Sequence, residues 1–238
     1  MKKRLKINGI IITLAVLSAV IFSNTFMRHV PVGLGEEILE IFGIALILLG
    51  QIIRVSARGY KSDYSAQGVL LIQGGPYALV RNPMYLGILL IGVGIVLVLF
   101  KWWVICLFLL VFISRYISLM HKEEKKLLSL FPGDYPGYKK AVPRILPSIG
   151  TIFRKEISQY LPLRPSWIKK EIGSILVVLL LTLLIESWED IKTEGWAVYQ
   201  EEALTMLIAV ILFILLLIYL VKRTEGIRYN DSSKSKNN

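Results

Sequence analysis

Two short stretches of this chain carry more chemistry than their surroundings call for. The first is GPYALVRNPMY, residues 75–85. Gly74, Gly75 and Pro76 dictate a turn. Pro83 suits the first position of a helix, where its missing N–H costs nothing. Such a helix start turns backbone N–H groups and a positive dipole toward the loop, which suits a carboxylate or phosphate. Tyr77, Met84 and Tyr85 offer flat or polarisable surface to a ring or a cation. The same residues also fit an ordinary helix start at a membrane surface, with Arg81 snorkelling. The second stretch, HKEEKKLLSLFPGDYPGYKKAVPRILP at 121–147, opens on the carboxylates Glu123 and Glu124. After an apolar run on a basic side they oppose both lipid charge and the dipole expected at a helix end. Either they serve a cation, or Lys125 and Lys126 neutralise them on a solvated helix. Tyr135 and Tyr138 with Lys139 and Lys140 are open to the plainer reading of an interfacial amphipathic helix.

The elements that position these stretches are membrane helices. The chain has 238 residues, 55% of them hydrophobic, and a mean hydropathy of +0.61. Those values exclude an ordinary soluble domain. Six apolar runs approach a bilayer-crossing length: about Ile7–Phe26, Ile38–Ile53, Met84–Phe100, Trp102–Leu119, Ile172–Trp188 and Ala203–Val221. None alternates as a barrel strand would, so the expected fold is an all-α polytopic bundle. MKKRLK precedes the first run without a small-residue cleavage site after it, so that run reads as a retained span.

Charge sets the orientation. Lys2, Lys3, Arg4 and Lys6 precede the first run; Arg54, Arg58, Lys61 and Arg81 separate the second from the third. Eleven Lys and Arg lie between Lys122 and Lys170, and more follow Lys222. The other side carries little beyond Arg28, Lys101 and Lys192. Six spans keep this bias consistent, placing both termini and the long basic loops in the cytoplasm. The net charge of +11 therefore reads as topology and anionic-lipid contact, not nucleic-acid binding. A bacterial inner membrane is the expected setting. The single cysteine, Cys106, excludes a disulfide framework and reads as a small core residue. His29 and His121 make no metal motif. Gly92 and Gly94 read as close helix contacts.

The third and fourth runs are joined only around Lys101, so they form a tight hairpin. Its two ends bring GPYALVRNPMY and the Glu123–Glu124 segment to one membrane surface. Anion-binding helix ends, aromatic surface and paired carboxylates would there suit a ligand with carboxylate, amine, ring and positive charge. S-adenosylmethionine has all four.

In its order of motifs the chain resembles the isoprenylcysteine carboxyl methyltransferase and phospholipid methyltransferase superfamily. GGPYALVRNPMYLG, then Glu123-Glu124, then FPGDYPGYKKAVPRILP are similar to that family's pattern, over about residues 45–149. The resemblance implies an integral membrane enzyme that moves a methyl group from S-adenosylmethionine to a lipid or lipid-like acceptor. It implies a cofactor site of Leu70, Leu71, Ile72, Tyr77, Arg81, Asn82, Pro83, Met84 and Tyr85, with Glu123 meeting the donor's amino group and Glu124 in support. Asn82 stands where the family usually has histidine, as in phospholipid-type members. An arginine that the carboxyl methyltransferases place just before the Glu pair is replaced by Leu119. Arg115, one turn earlier, and Arg144 are the candidates for an anionic substrate group. Glu124 and Tyr138 are candidates for accepting a proton from an amine or phenol. Residues 1–150 form the expected methyltransferase core, and 151–238 a basic linker, a further helix pair and a disordered tail. The alternatives are a membrane sterol-type reductase using NADPH, which usually carries a cysteine and Lys-Tyr-Gly where this chain has LSLFPGDYPGY, and a non-catalytic membrane scaffold.

Overall fold

A computed structural model describes residues 22–28, 34–65, 70–148, 150 and 157–193, with scattered positions between 204 and 219. The expected first span lies outside the described residues but for its last turn, α1 (Ser23–Phe26), and the sixth lies outside them but for those scattered positions. The described residues are helix and loop, with one isolated bridge between Met27 and Phe100. In order they form α2 (Leu34–Tyr64), α3 (Pro76–Leu79), α4 (Pro83–Leu99), α5 (Val104–Leu130), α6 (Tyr135–Ala141), α7 (Ile157–Tyr160) and α8 (Pro165–Thr193). Two of them, over Ile38–Tyr64 and Val104–Leu130, are long and apolar enough to cross a membrane; α4 is a shorter apolar helix. The described residues thus hold two helices of spanning length and one shorter apolar helix, against the six spans expected.

α4 spans Pro83–Leu99, one residue from the expected Met84–Phe100 at each end. Pro83 opens it and the extended Phe100 closes it. α2 outruns its expected span. Its 31 residues reach about 46 Å at 1.5 Å per residue, and carry Arg54, Arg58 and Lys61 on the same helix. α5 also continues past the expected Leu119, to Leu130. This corrects the reading of Glu123 and Glu124: they sit within a helix, and the helix-end dipole argument does not apply to them. Lysine, glutamate and leucine are strong helix formers, and the first breaker is the Pro132-Gly133 pair.

The strongest packing is between α2 and α4, not within the α4–α5 hairpin. Glycines make it possible. Gly43 faces Gly94 and Gly50 faces Gly87, seven residues apart on each helix. A Cβ on Gly50 would sit 2.7 Å from the Gly87 carbonyl oxygen, and one on Gly94 would sit 2.5 Å from that of Gly43. The two backbones touch at both pairs, so the antiparallel register is fixed by shape. Gly92 instead faces the Phe108 ring of α5. The rest of α5 is mostly exposed, including Leu107, Leu110, Val111 and Ile113. Cys106 is exposed with them, which corrects its reading as a core residue.

At the hairpin mouth the core is built from distant parts of the chain. Ile52, Ile53 and Val55 of α2 pack with Val80, Leu86, Tyr160, Leu161, Leu163 and Trp167 in one buried cluster. This cluster joins residues on both sides of position 150. α6 is amphipathic, but its tyrosine face packs on the protein: Tyr135 is 1% and Tyr138 5% exposed, while Lys139 and Lys140 are exposed.

Candidate functional site

The loop ahead of α4 is a tight construction. Gly75 has φ +56°, a region that side-chain-bearing residues rarely adopt, and the turn starts α3 at Pro76. Val80 and Arg81 then run extended beside residues 143–144: the Arg81 N–H donates to the Pro143 carbonyl at 2.8 Å and the Asn82 N–H to the Arg144 carbonyl at 3.1 Å. The Asn82 side-chain amide donates to that same carbonyl at 3.1 Å. Asn82 therefore ties the two stretches together and does not cap α4 with its side chain. The N–H groups of Tyr85 and Leu86 both donate to the Asn82 carbonyl. With Pro83 lacking an N–H, the start of α4 offers an anion far less than a free helix end does.

Two rungs join this loop to α5. Glu124, buried, accepts from Arg144 Nε at 3.0 Å and Nη2 at 2.8 Å, a bidentate pair. Arg81 Nη1 lies 3.4 Å from the same carboxylate. One turn along α4, the Tyr85 hydroxyl donates to Glu123 Oε1 at 3.0 Å. The hairpin mouth thus does bring GPYALVRNPMY and the Glu pair together, and residues 143–144 with them. Around this frame the tyrosines are locked. The Tyr138 hydroxyl donates to the Tyr77 carbonyl at 2.8 Å, and the Tyr77 hydroxyl to the Ala57 carbonyl of α2 at 3.4 Å. Burial pushes both phenols well above the usual tyrosine range, with Glu123 adding to it at Tyr77 and Tyr77 adding to it at Tyr138. Tyr135 is raised too, by burial and by Glu124, with Arg81 and Arg144 opposing.

Arg81 Nε is buried without a hydrogen-bond partner among the described residues, while Arg81 Nη1 has the Glu124 carboxylate at 3.4 Å and Tyr135 lies against the Arg81 side chain. Buried donors thus lie against Glu124, one residue along α5 from the Glu123 carboxylate. That is the mixed chemistry an amino-acid zwitterion requires, and a cationic sulfur favours the tyrosine faces. The residues fit S-adenosylmethionine.

Of the other expected residues, Leu70 is exposed and its carbonyl accepts from Ser65 at 3.1 Å, while Leu71, Ile72 and Met84 are half-buried. Arg115 sits on α5 two turns before the Glu pair. Several residues at the mouth escaped the sequence reading. Phe112 meets Tyr116 in a tilted pair at 4.6 Å and Tyr116 meets Tyr85 at 5.3 Å, a wall of rings between α4 and α5. Their i, i+4 spacing with Phe108 was the available signal. His121 Nδ1 lies 2.9 Å from the Ile117 carbonyl, and its Nε2 3.5 Å from Arg144 Nη1. Nothing in the sequence pointed to Tyr60 and Trp167, which support the loop from behind.

Two helices long and apolar enough to cross a membrane, with a cluster of buried polar side chains at one end of a helix pair, fit a membrane protein. Residues 38–133 match the model of the phospholipid methyltransferase family, so that stretch is similar to the membrane methyltransferases whose motifs it resembles. The match holds α2, the loop, α4 and the Glu pair, and ends before Arg144. No curated protein and no solved structure matches the chain.

Proposed function

We propose that the protein transfers a methyl group from S-adenosylmethionine to a lipid head group or similar hydrophobic acceptor. The observation that carries this is the joining of the Arg81–Tyr85 loop to Glu123 and Glu124 across the hairpin, inside the stretch that matches the family. The donor, when bound, supplies an electrophilic methyl on sulfur. In-line displacement there needs alignment and proximity more than acid–base help.

The chain's own residues divide the work. Glu123 would hold the donor's ammonium group, and Arg81 with Tyr135 would hold its carboxylate. Tyr77 and Tyr85 supply ring surface. Glu124 is neutralised by two arginines, so it holds Arg81 and Arg144 in place instead of accepting a proton. Tyr138 is equally unsuited to accept one, since burial keeps its phenol protonated and its hydroxyl is spent on Tyr77. Asn82 and the family match favour a phospholipid-type acceptor, an amine, over a prenylcysteine carboxylate. The free-base amine would form its N–CH3 bond as the S–CH3 bond breaks, S-adenosylhomocysteine would leave, and the proton shed by the methylated nitrogen would pass to water. The acceptor enters from the bilayer past the ring wall of Phe112 and Tyr116, and the donor from the cytoplasm. Membrane lipids are then both solvent and substrate pool.

Calorimetry with S-adenosylhomocysteine in detergent tests the donor half: no binding at millimolar ligand ends the methyltransferase reading. A lipid extract incubated with radiolabelled donor, followed by identification of the labelled product, tests the acceptor half. Oxidation of NADPH by the protein would favour the reductase alternative.

A further inference from the structure

The chain beyond the matched region does not stand apart from the site. Trp167, buried to 1% exposure, lies flat against Gly59 of α2, where even a Cβ would overlap its ring. Its indole N–H donates to Asp63 Oδ2 at 3.0 Å, and Arg164 pairs with the same carboxylate. Arg164 also lies over the Trp167 ring at 4.9 Å. On the other face of this cluster, Tyr60 meets Trp167 edge-on at 6.5 Å. Tyr60 in turn fills the space that a side chain would need at the turn before Tyr77: a Cβ on Gly74 would lie 2.5 Å from its hydroxyl and one on Gly75 2.7 Å from its ring. A second attachment runs alongside. The Ser56 hydroxyl donates to the Pro162 carbonyl at 2.7 Å, and α7 packs on α3.

We infer that residues 157–171 act as a clamp that sets donor affinity, holding the Gly74–Tyr77 turn in place through Tyr60. The inference rests on the methyltransferase reading and adds to it. Trp167 is a positioning residue: it acts through Tyr60 and the loop. Two glycines make the chain of contacts specific. Gly59 lets the indole reach α2, and Gly75 lets Tyr60 reach the turn. A clamp with only a stabilising role would leave donor affinity unchanged in any variant that still folds.

The test uses the full chain in detergent, with S-adenosylhomocysteine calorimetry, thermal unfolding, and donor KM and kcat on lipid extract. Gly59→Ala is the sharpest variant, because it raises helix propensity while driving its new methyl into Trp167. Gly59→Ala and Trp167→Ala are expected to weaken S-adenosylhomocysteine by about tenfold or more. Donor KM rises in step while kcat stays within about twofold, and Trp167→Phe recovers most of the affinity. A folded Gly59→Ala protein that binds like wild type overturns the clamp. If neither variant folds, Asp63→Asn decides alone: it keeps volume while weakening the pairing with Arg164 and Trp167, and unchanged affinity there also overturns it. Wild-type protein that binds no S-adenosylhomocysteine instead removes the methyltransferase reading, and the clamp's role with it.

Discussion

Glu123 and Glu124 are neighbours in sequence, yet they face different chemistry. Glu124 is enclosed by Arg144 and Arg81, the latter with a side chain only 9% exposed. Glu124→Gln leaves a buried guanidinium uncompensated, at a cost of about 3 kcal/mol. Its thermal midpoint should fall clearly below wild type, with activity lost alongside. Glu123→Gln should melt like wild type, because an amide oxygen still accepts from Tyr85, while S-adenosylhomocysteine affinity drops by about tenfold or more. Equal melting of the two variants would contradict this division. The tyrosines make a second claim at this scale. Tyr77, Tyr135 and Tyr138 have raised pKa values when folded, so the stability they give is complete below their ordinary value of about 10 and is lost as pH rises beyond it toward the folded values. Tyrosinate absorbance of the native protein should therefore show a fraction of tyrosines that ionise only as circular dichroism reports unfolding. Tyr138→Phe, which removes the bond to the Tyr77 carbonyl, should cost about 1 kcal/mol.

Among the elements, what could be read in the sequence was what local chemistry determines. α4 was legible because Pro83 and an unbroken apolar run mark both its ends. The meeting of its loop with the Glu pair was legible because a tight turn at Lys101 leaves the hairpin one geometry. The far ends of α2 and α5 were not, because hydropathy reports where a membrane stops, not where a helix does. The choice of α2 as the main partner of α4 was hidden as well: it depends on Gly43 and Gly50 meeting Gly94 and Gly87, a pairing between distant segments. That interface is testable. Gly50→Ala and Gly94→Ala each gain helix propensity, but place a methyl within contact distance of the opposing backbone, so both should lower the thermal midpoint. Gly173→Ala, on α8 with nothing within 4 Å of the added methyl, should be neutral or stabilising by up to about 1 kcal/mol. If all three variants behave alike, close backbone contact is not what pairs α2 with α4.

At the scale of the whole molecule, the question is whether the methyltransferase region stands without residues 151–238. Its matched part ends at residue 133, and the segments joined at the mouth end with Arg144. A chain stopped after Gly150 would keep every residue assigned to the donor. It would lose Tyr160, Leu161, Leu163 and Trp167, all buried in the cluster that also holds Ile52, Val80 and Leu86. Deleting one buried tryptophan side chain costs about 3–5 kcal/mol, and a domain's whole stability is about 5–15 kcal/mol. Four such losses in one cluster exceed what a single fold can absorb. They would also bare Ile52, Ile53 and Val80 beside a loop whose own hydrogen bonds depend on its position. The truncated chain should therefore aggregate on extraction or be degraded, and should not bind S-adenosylhomocysteine. Size-exclusion chromatography in detergent, with calorimetry on any monodisperse fraction, checks this. A monodisperse truncated protein with wild-type affinity would show that residues 151–238 are an independent appendage, and would place the determinants of the mouth entirely before residue 151.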